Sequence, residues 1–517
     1  MTTNSEFNGP LRPRDVAPRS LERFVTEFGL NAYGDVAGVT ATGITSVSSN
    51  VQPGDVFVAM PGARFHGMNF AEDAIARGAI AVVTDIAGRE LSSVAVPVIE
   101  AGNLRASLGL WARWIYQTAE PSMVVAGITG TNGKTSVAYI VEHLWARLGH
   151  TTGLSTTAEV HVANERWGAV LTTPESAENH ALIARMGEAG VDHAILEVSS
   201  HAATYSRVAG IEFDVMGFTN LSRDHLDEYD TMDSYFDAKR ALFAPEVSRI
   251  AVVCLDTDWG RKLADGLQIP FTTVTTNAEI DADWTIALIS ASAFGTQFEL
   301  TATAGASVTG SLPFFGEHML QNLAVALVMV LSSGTEPGEL QSALDRDSAH
   351  QLLIPGRLER VSPLGTPAVF VDYGHTPDAI EKILDALRAV TPGRVTLVLG
   401  ADGDRDSGKR GAMGEAGANG ADVLIVTDYN PRFEDPAQIR AALLEGARHA
   451  DNPGEILEIA SPAEAVRFAV SNSTVADSVV WAGPGHEDYR EVEGAKVPFP
   501  AREIARQIVE DCADGEQ

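Results

Sequence analysis

The hydrophobic and polar positions divide the chain into three blocks, in each of which short apolar strands alternate with helical segments. In the first block, apolar runs bounded by turn residues such as Pro53-Gly54 predict buried strands. The predicted strands are Val56–Ala59, Ala79–Val83 and Val94–Ile99, and the predicted helices are Ala71–Arg77 and Leu104–Gln117. Pro121 follows the last helix and marks a boundary, so we expect a small α/β domain over residues 21–120.

The second block, residues 121–352, contains longer segments of both kinds. A predicted strand over Met123–Ile128 leads through a glycine-rich loop into a predicted helix over Ser136–Leu148. Further apolar strands are predicted at Ala194–Val198, Val215–Thr219 and Ile250–Leu255. Strands that alternate with helices are typical of a mostly parallel, doubly wound sheet. The Thr- and Ser-rich segment Phe298–Leu312 predicts an antiparallel strand or a loop at the far edge of that sheet.

The third block, residues 353–517, begins near Leu353–Arg357 and repeats the alternation. Its predicted strands are Ala368–Val371, Val395–Leu399, Val423–Val426 and Ser478–Ala482, and its predicted helices are Asp378–Val390, Ala437–Ala450 and Ala463–Val470. The whole pattern predicts an α/β protein of three domains. A central domain with a mostly parallel sheet of the phosphate-loop type is flanked by a small N-terminal α/β domain and a Rossmann-like C-terminal α/β domain.

Composition narrows the functional classes. The 517 residues include 37 Lys and Arg against 69 Asp and Glu, a net charge of −32, which argues against binding to nucleic acid or to an anionic membrane surface. No apolar run approaches the ~18–20 residues that a membrane-spanning helix needs. Cys254 and Cys512 form no disulfide framework or metal-binding pattern, which favours a reducing cytoplasm. Residues 1–20, rich in proline and arginine, are expected to form a mobile lead-in.

The strongest chemical signal is the segment Gly127–Thr135, which has the sequence Gly-Ile-Thr-Gly-Thr-Asn-Gly-Lys-Thr and lies between a predicted strand and a predicted helix. Its glycines let backbone N–H groups approach a phosphate chain, and the helix N-terminus that follows adds partial positive charge. The Lys134 ammonium can reach terminal phosphates, and the Thr135 hydroxyl suits Mg²⁺. The segment therefore predicts a site for nucleotide phosphates.

Two further clusters follow predicted strands, where ligands bind in open α/β sheets. In Glu197–His201, the Glu197 carboxylate is a natural Mg²⁺ ligand, because this ion takes oxygen ligands and bridges phosphates. The alternative is a helix N-cap formed by the two serines of that segment. In Thr219–Asp227, His225 can bind a metal while Asp224 orients its ring. The alternative there is a helix-capping Asp–His pair.

These motifs occur together with Asp372–Asp378, which has the sequence Asp-Tyr-Gly-His-Thr-Pro-Asp. In their order and spacing they resemble the Mur ligases of peptidoglycan synthesis, and within that family the tripeptide synthetases of the MurE group. The resemblance covers roughly residues 40–510. It implies an ADP-forming acid–amino-acid ligase that uses ATP and Mg²⁺. Such an enzyme adds the third amino acid to UDP-MurNAc-L-Ala-D-Glu through an acyl phosphate.

The resemblance also implies a role for individual residues of the central site. ATP would be bound by Gly130, Thr131, Asn132, Gly133, Lys134, Thr135, Asn322, Arg357 and Asp372. The metal would be bound by Thr135, Glu197, His225 and Lys239. The catalytic residues would be Lys134, Lys239, His225 and His375, with His375 assisting orientation or proton transfer. The family carbamylates the lysine that Lys239 matches, which replaces an ammonium with an anionic oxygen ligand; the sequence alone predicts a solvated helix residue there.

Substrate contacts follow from the resemblance in the same way. The UDP-sugar peptide would be bound by Ser48, Thr172, Thr173, Ser199 and Arg207, although Val47-Ser48-Ser49 departs from the family's Asp-Ser-Arg. The amino acid would be bound by Arg405, Asn430, Arg432, Gly483 and Glu487.

The amino-acid loop departs from the pattern of the diaminopimelate-adding enzymes. They usually have Asp-Asn-Pro-Arg where this chain has Tyr429–Arg432, and Pro484 replaces a lysine of the family. Meso-diaminopimelate carries a distal carboxylate and ammonium and needs partners for both, whereas lysine or ornithine needs only an acid for its distal ammonium. We therefore favour lysine or ornithine over meso-diaminopimelate, although Arg432 argues for a carboxylate nearby.

Two alternatives stand beside this interpretation: a sibling ligase, such as another Mur enzyme or folylpolyglutamate synthase, and a non-catalytic nucleotide-binding module. The uridine-type motif of the first domain and the Asn430–Arg432 loop argue against a folate substrate. The residues that argue against a non-catalytic module are intact: Lys134, Glu197, His225 and Lys239. We expect a monomer with no nucleic-acid partner and no membrane insertion.

Overall fold

The computed structural model describes residues 11–62, 64–225, 228–292, 295–346 and 352–514. It confirms the expected α/β architecture of three domains, each built on its own parallel or mostly parallel sheet. None of the described helices has the length and apolar character needed to cross a membrane.

The first domain has a five-stranded sheet. The strands are β1 (Arg19–Ser20), β2 (Asn31–Tyr33), β3 (Thr40–Ala41), β4 (Gly43–Thr45), β5 (Asp55–Ala59), β6 (Ala81–Thr84) and β7 (Val98–Glu100), and the helices are α1 (Leu21–Glu27), α2 (Ala71–Ala76), α3 (Ile86–Glu90) and α4 (Leu104–Tyr116). The sheet order is β2-β7-β6-β5-β4, with only β2 antiparallel, while β1 and β3 form a separate pair.

The central domain has an eleven-stranded sheet. Its strands are β8 (Val124–Thr129), β9 (Thr152–Ser155), β10 (Glu159–Val162), β11 (Glu165–Gly168), β12 (His193–Glu197), β13 (Phe213–Phe218), β14 (Ser248–Cys254), β15 (Phe271–Thr275), β16 (Trp284–Ser292), β17 (Gly295–Ala302) and β18 (Ser307–Leu312). Its helices are α5 (Lys134–Leu148), α6 (Ser176–Glu188), α7 (Ser200–Thr204), α8 (Met232–Arg240), α9 (Asp258–Gly266), α10 (Glu317–Ser332) and α11 (Pro337–Leu344).

The strand order of this sheet places the phosphate loop near its middle. The order is β11-β10-β9-β12-β8-β13-β14-β15-β16-β17-β18. The neighbouring strands from β9 through β12, β8, β13, β14 and β15 to β16 pair in parallel. The outer strands β10 and β11 on one side, and β17 and β18 on the other, are paired antiparallel. β17 and β18 are the antiparallel strands expected over Phe298–Leu312. Because β8 lies between β12 and β13, the loops after all three strands meet at one edge.

The third domain has a six-stranded sheet. The strands are β19 (Glu359–Arg360), β20 (Ala368–Asp372), β21 (Val395–Leu399), β22 (Val423–Val426), β23 (Glu455–Glu458), β24 (Ser478–Ala482), β25 (Tyr489–Val492) and β26 (Ala495–Pro498), and the helices are α12 (Pro377–Val390), α13 (Arg410–Gly420), α14 (Pro436–Ala447), α15 (Pro462–Ser471) and α16 (Ala501–Asp514). The order is β19-β20-β24-β21-β22-β23, with only β19 antiparallel, and β25 and β26 form a hairpin.

The segment that precedes β1 connects the first two domains. The Arg12 guanidinium donates to Asp55 of β5 at 2.6 and 2.8 Å; the Asp55 side chain is buried and that of Arg12 is partly buried. The backbone N–H groups of Arg14 and Asp15 each donate to the carboxylate of Glu188 on α6 at 2.9 Å. This half of the predicted lead-in therefore makes fixed contacts, because a buried acid and a helix-end acid bind it; residues 1–10 lie outside the described residues.

A buried ionic cluster joins α5 to β10. His161 is 1% exposed, and its two ring nitrogens lie 2.8 Å from Glu142 and 3.0 Å from Glu159. Glu159 also accepts a hydrogen bond from the Tyr139 hydroxyl at 2.8 Å. Burial alone lowers the pKa of His161, but its hydrogen bonds to the two carboxylates outweigh that effect and raise the pKa.

Candidate active site

A cleft of about 530 Å³ lies between the central and third domains, at the carboxyl ends of β8, β12 and β13. The central domain lines it with the loop after β8, the end of β12 and the loop after β13. The third domain lines it with residues that include Arg357, Arg405, the segment Asp372–Thr376 and Ala379. Ligands of open α/β sheets bind at this position.

The loop between β8 and α5 requires glycine at two positions. Gly130 has a φ of +150° and Gly133 a φ of +89°. A Cβ on Gly130 would lie 1.9 Å from the Thr219 hydroxyl oxygen, and one on Gly133 would lie 2.0 Å from Oδ1 of Asn322. The Asn220 segment after β13 supports the loop by accepting from the N–H groups of Thr131 and Asn132. The loop is therefore held tightly at the N-terminus of α5, as an anion site requires.

Two lysines converge on one carbonyl of this loop. Nζ of Lys134 donates to the carbonyls of Gly130 (3.2 Å) and Thr131 (2.9 Å), and Nζ of Lys239 donates to Gly130 at 2.8 Å. Lys239 is 1% exposed, so the solvated position expected from the sequence alone is wrong: α8 presents this residue to the loop and to the ring of Tyr235. Burial lowers the pKa of both lysines, and that of Lys239 lies well below its ordinary value.

The Glu197 carboxylate is buried and has only neutral partners. It accepts from the Thr135 hydroxyl at 2.9 Å and from the N–H and hydroxyl of Thr157 at 3.0 and 3.1 Å. Within the described ranges, no Lys, Arg or His nitrogen lies within 4.0 Å of it. A buried carboxylate beside a hydroxyl at a phosphate loop is a donor set that fits Mg²⁺, since uncompensated charge is costly in the interior.

His225 lines the cleft in a strained backbone conformation, with a φ of +54°. Its Nε2 is 3.4 Å from the Asp224 carboxylate, and its ring is 4.7 Å from that of His201. Burial lowers the pKa of His225 to about 4, so the imidazole is neutral and able to bind a metal. Asp227, which closes the sequence motif, lies outside the described residues.

The third domain brings three of the expected residues to the cleft. The Arg357 guanidinium donates to the Thr135 hydroxyl at 3.2 Å and lies 4.4 Å above the ring of Tyr373. Asp372 accepts from the N–H groups of Leu358 and Gly374, both at 2.6 Å, and burial raises its pKa. Nδ1 of His375 lies 2.8 Å from the Tyr373 carbonyl, and burial lowers the pKa of this histidine.

The residues expected to contact the UDP-sugar peptide are only partly brought together. Thr172, Ser199 and Arg207 line the cleft. The buried Thr173 hydroxyl donates to the Glu197 carbonyl at 2.9 Å and so shapes the end of β12. Ser48 lies in a short 3₁₀ turn of the first domain and is not among the residues that line the cleft.

The amino-acid loop follows β22 and holds Tyr429 in a buried position. The Tyr429 hydroxyl donates to Glu487 at 2.5 Å, and Nδ2 of Asn430 donates to the same carboxylate oxygen at 3.3 Å. Asp428, one place earlier, forms an ion pair with Arg440 of α14. It is therefore not available in place of the aspartate that diaminopimelate-adding enzymes usually have at position 429.

Arg432 is surrounded by acids, whereas Arg405 is exposed and lines the cleft. The guanidinium of Arg432 lies 3.1 Å from the Glu491 carboxylate and 3.6 Å from that of Asp402. Gly483 has a φ of +118° and donates its N–H to the Asp372 carbonyl at 2.9 Å, which couples the amino-acid loop region to the cleft.

Several residues in or beside the cleft were not singled out from the sequence. Tyr373 and Asp378 lie inside the Asp372–Asp378 motif; Asp378 accepts from Nδ2 of Asn132 at 3.0 Å and so joins the third domain to the phosphate loop. His201, which ends the Glu197 motif, lies 2.6 Å from Glu228. Thr157 had no sequence signal, because the short hairpin of β9 and β10 that positions it was not predicted.

Models of three protein-family domains match the chain. They are the Mur ligase family catalytic domain over residues 40–116, the Mur ligase middle domain over residues 128–330, and the Mur ligase glutamate ligase domain over residues 356–485.

Curated relatives match along nearly the whole chain. A UDP-N-acetylmuramyl-tripeptide synthetase of Leifsonia xyli subsp. xyli is 46% identical over 503 residues, which cover 97% of this chain and 98% of that protein. A UDP-N-acetylmuramoyl-L-alanyl-D-glutamate--2,6-diaminopimelate ligase of Streptomyces coelicolor is 38% identical over 97% of this chain and 99% of its own length.

Solved structures match in fold. A UDP-N-acetylmuramoyl-L-alanyl-D-glutamate--2,6-diaminopimelate ligase has a TM-score of 0.66 at 28% identity, covering 96% of this chain and 99% of that one. The MurF ligase of Thermotoga maritima in complex with ADP has a TM-score of 0.63 at 18% identity, covering 92% and 99%, which is a likeness of fold alone.

Proposed function

We propose that this chain, which belongs to the Mur ligase family and is an ATP-dependent ligase of the tripeptide-forming type in peptidoglycan synthesis, adds lysine or ornithine rather than meso-diaminopimelate. The acceptor in this proposal is the D-glutamate carboxylate of UDP-MurNAc-L-Ala-D-Glu. The observation that carries the choice of amino acid is the surroundings of Arg432.

The Arg432 guanidinium already has acidic neighbours, which disfavours it as the partner of a distal carboxylate. Glu491 and Asp402 already flank its guanidinium, and Glu487 lies nearby in a network with Tyr429. Three carboxylates near one guanidinium leave an excess of negative charge, which favours an ammonium group over a second carboxylate. Among the described residues, Oδ1 of Asp402 is buried without a hydrogen-bond partner and lies 3.6 Å from the Arg432 guanidinium, so it would be able to accept from a distal ammonium as well.

Glu487 is the proposed partner of the incoming α-ammonium. Burial raises the pKa of Glu487, and the hydroxyl of Tyr429 and the amide of Asn430 fix its orientation. An ammonium group placed there would stabilise the ionised carboxylate. Glu487 would thus bind the α-ammonium of a diamino acid, and Asp402 would bind its distal ammonium.

The chemistry proposed for the cleft begins at the phosphate loop. Backbone N–H groups of Gly133–Thr135 and the Lys134 ammonium would bind the ATP phosphates, and Arg357 would reach the transferring phosphoryl group from the third domain. The acceptor carboxylate attacks the γ-phosphorus, ADP leaves and an acyl phosphate forms. The amine of the amino acid then attacks the acyl carbon, and inorganic phosphate leaves.

Thr135, Glu197, His225 and Lys239 are the residues proposed to hold Mg²⁺, which supplies charge neutralisation between the phosphates when bound. The neutral ring of His375 donates from one nitrogen to the Tyr373 carbonyl, which would leave the other free to take the proton released by the attacking amine.

Carbamylation of Lys239 is part of the proposal. A carbamate forms when a neutral amine attacks CO₂ and loses a proton, and the buried Lys239 has the lowered pKa that this step needs. Removal of dissolved CO₂ is expected to reduce turnover, and added bicarbonate to restore it. A Lys239→Met variant is expected to be inactive with or without bicarbonate. Full turnover in Lys239→Met would contradict both the carbamate and the residue's role.

For the remaining substrate, we propose that Thr172, Ser199 and Arg207 contact the sugar-peptide part and that Ser48 contacts the uridine part in the first domain. We also propose that the protein is a monomer. We propose a cytoplasmic location as well, which the two free cysteines support because free thiols are typical of a reducing compartment.

The test is phosphate release by the full chain with ATP, Mg²⁺ and UDP-MurNAc-L-Ala-D-Glu while the amino acid is varied. Lysine, ornithine, diaminobutyrate and meso-diaminopimelate are compared at equal concentration. Turnover with lysine or ornithine is expected, and turnover with meso-diaminopimelate alone would refute the choice of amino acid while leaving the ligase intact.

Two variants at position 429 sharpen this comparison. Tyr429→Phe removes the hydroxyl that orients Glu487, so the KM for the amino acid is expected to rise severalfold. Tyr429→Asp introduces the residue of the diaminopimelate-adding loop and is expected to lower activity with lysine or ornithine more than the Phe variant does. Equal effects of both variants on every amino acid would show that position 429 does not select the substrate.

A further inference from the structure

A second cluster of metal-ligating side chains lies at the amino end of β12, whereas the cleft lies at the carboxyl end of the same strand. It consists of His150, which follows α5, with Asp192 and His193 at the start of β12. One ligand atom from each residue lies within 4.8 Å of those of the other two. Since β12 ends at Glu197, the cluster is separated from the cleft by roughly 13 Å of strand.

The Asp192 carboxylate bridges the two imidazoles. Its Oδ2 lies 3.3 Å from Nδ1 of His150, and its Oδ1 lies 3.1 Å from Nδ1 of His193. The two rings are 3.8 Å apart between centroids. In the part of the chain that the structure describes, these imidazoles are the only basic groups within 4.0 Å of this carboxylate. Three possible ligand atoms thus converge, and no described arginine or lysine pairs with the Asp192 carboxylate.

Backbone hydrogen bonds hold the two segments in place. The N–H of His150 donates to the Trp145 carbonyl at 3.0 Å, and the N–H of Asp192 donates to the Thr151 carbonyl at 2.9 Å. The side chains keep some freedom, because Asp192 is 50% and His150 33% exposed. Small rotations therefore suffice to reach the ~2.0–2.2 Å that nitrogen and carboxylate ligands take on Zn²⁺.

We propose that His150, Asp192 and His193 form a binding site for a divalent transition-metal ion of the Zn²⁺ class, with a fourth position open to water. Two imidazoles and a carboxylate favour Zn²⁺, Ni²⁺ or Cu²⁺, whereas Mg²⁺ prefers oxygen ligands alone. The site is independent of the ligase reaction, and the net charge of −32 on the whole chain attracts cations.

Calorimetric titration of the chelator-treated full chain with Zn²⁺ tests the site by stoichiometry. The wild type is expected to bind one equivalent more than His150→Gln, whose altered side chain is partly exposed and leaves β12 unchanged. Asp192→Asn keeps the shape of the carboxylate and is expected to weaken that equivalent at least tenfold. His449→Gln, which changes an exposed histidine of the third domain, is the matched control and is expected to behave as the wild type.

Trp145 provides a local reporter, because its buried ring lies 4.9 Å from that of His193. Ni²⁺ is expected to quench part of the tryptophan emission of the wild type and of His449→Gln. The same quenching should be absent in His150→Gln and in Trp145→Phe. Equal Zn²⁺ stoichiometry and affinity in the wild type and His150→Gln, or equal Ni²⁺ quenching in both, would overturn the proposal.

Discussion

Replacement of Gly133 by alanine tests the phosphate loop most directly. Gly133 has a φ of +89°, and a β-carbon in this left-handed region costs about 1–2 kcal/mol. The new Cβ would also lie 2.0 Å from Oδ1 of Asn322, which is 5% exposed on α10 and has little room to move. The loop must therefore shift relative to α10, and the N–H groups that would face the phosphates shift with it.

Gly149 at the other end of the same helix offers a matched control. Its φ is +101°, and a Cβ there would meet no atom within 4 Å. Gly149→Ala therefore carries the backbone cost without a clash, and it lies at the end of α5 that points away from the cleft.

Both variants are expected to lose about 1–2 kcal/mol of the free energy of unfolding in urea, and Gly133→Ala more than Gly149→Ala. In phosphate-release assays at varied ATP, Gly133→Ala should raise the KM for ATP at least tenfold, which corresponds to about 1.4 kcal/mol. Gly149→Ala should leave that KM unchanged. An unchanged KM in Gly133→Ala, or the same rise in both variants, would refute the reasoning.

Three further predictions concern other contacts. Arg357→Lys loses the planar group that donates to Thr135, so kcat should fall at least tenfold while the KM for ATP changes less, as phosphate release will show. Asp378→Ala removes the bond to Asn132 and should raise the KM for ATP severalfold in the same assay. The raised pKa of His161 means that its stabilisation is complete below its ordinary value of 6.5 and is lost as the pH rises through the folded value. The difference in urea stability between wild type and His161→Gln should therefore shrink from pH 6 to pH 9.

Each of these variants has an exposed counterpart of the same type. Arg394→Lys and Asp385→Ala change surface residues of the third domain, and His449→Gln changes an exposed histidine. These three should match the wild type. A normal kcat in Arg357→Lys would count against the role of Arg357 in the cleft. Equal ATP KM values in Asp378→Ala and Asp385→Ala would count against the contact between Asp378 and Asn132. A stability difference between the wild type and His161→Gln that does not change with pH would count against the ionic pairing of His161.

The phosphate loop could be predicted from the sequence because all of its determinants are local. An apolar strand, two glycines and a helix follow one another within Val124–Leu148, and no distant residue is needed to recognise them. The burial of Lys239 is different, because α8 looks solvated by its own composition and only the face that carries Tyr235, Phe236 and Lys239 is buried. Only the family motif indicated its importance.

Side-chain direction in loops could not be predicted. β22 ends at Val426, so the alternation that would assign a face to Asp428 and Tyr429 ends before them. The structure pairs Asp428 with Arg440 and turns Tyr429 toward Glu487, and both partners are distant in sequence. Thr157 was missed for the same reason: its importance comes from Glu197, forty residues further along the chain.

The two interfaces of the central domain differ in kind. Toward the first domain, Ala177 and Ala181 of α6 are part of that domain's apolar core, and the segment containing Arg12 and Arg14 is fastened to both sides. Toward the third domain, Phe315 packs into that domain's core, but the contacts across the cleft itself include polar side chains such as those of Arg357 and Asp378. Apolar interfaces resist separation, whereas polar ones permit domain movement.

The first two domains therefore behave as one rigid unit. With the uridine end of the substrate held in the first domain, as proposed, the distance from there to the phosphate loop is fixed by the shared core around α6. A peptide that is one residue too short or too long would place its acceptor carboxylate beside the phosphate loop rather than in line with it. The number of residues already present on the substrate would thus be measured as a length, before any side chain of the peptide is recognised.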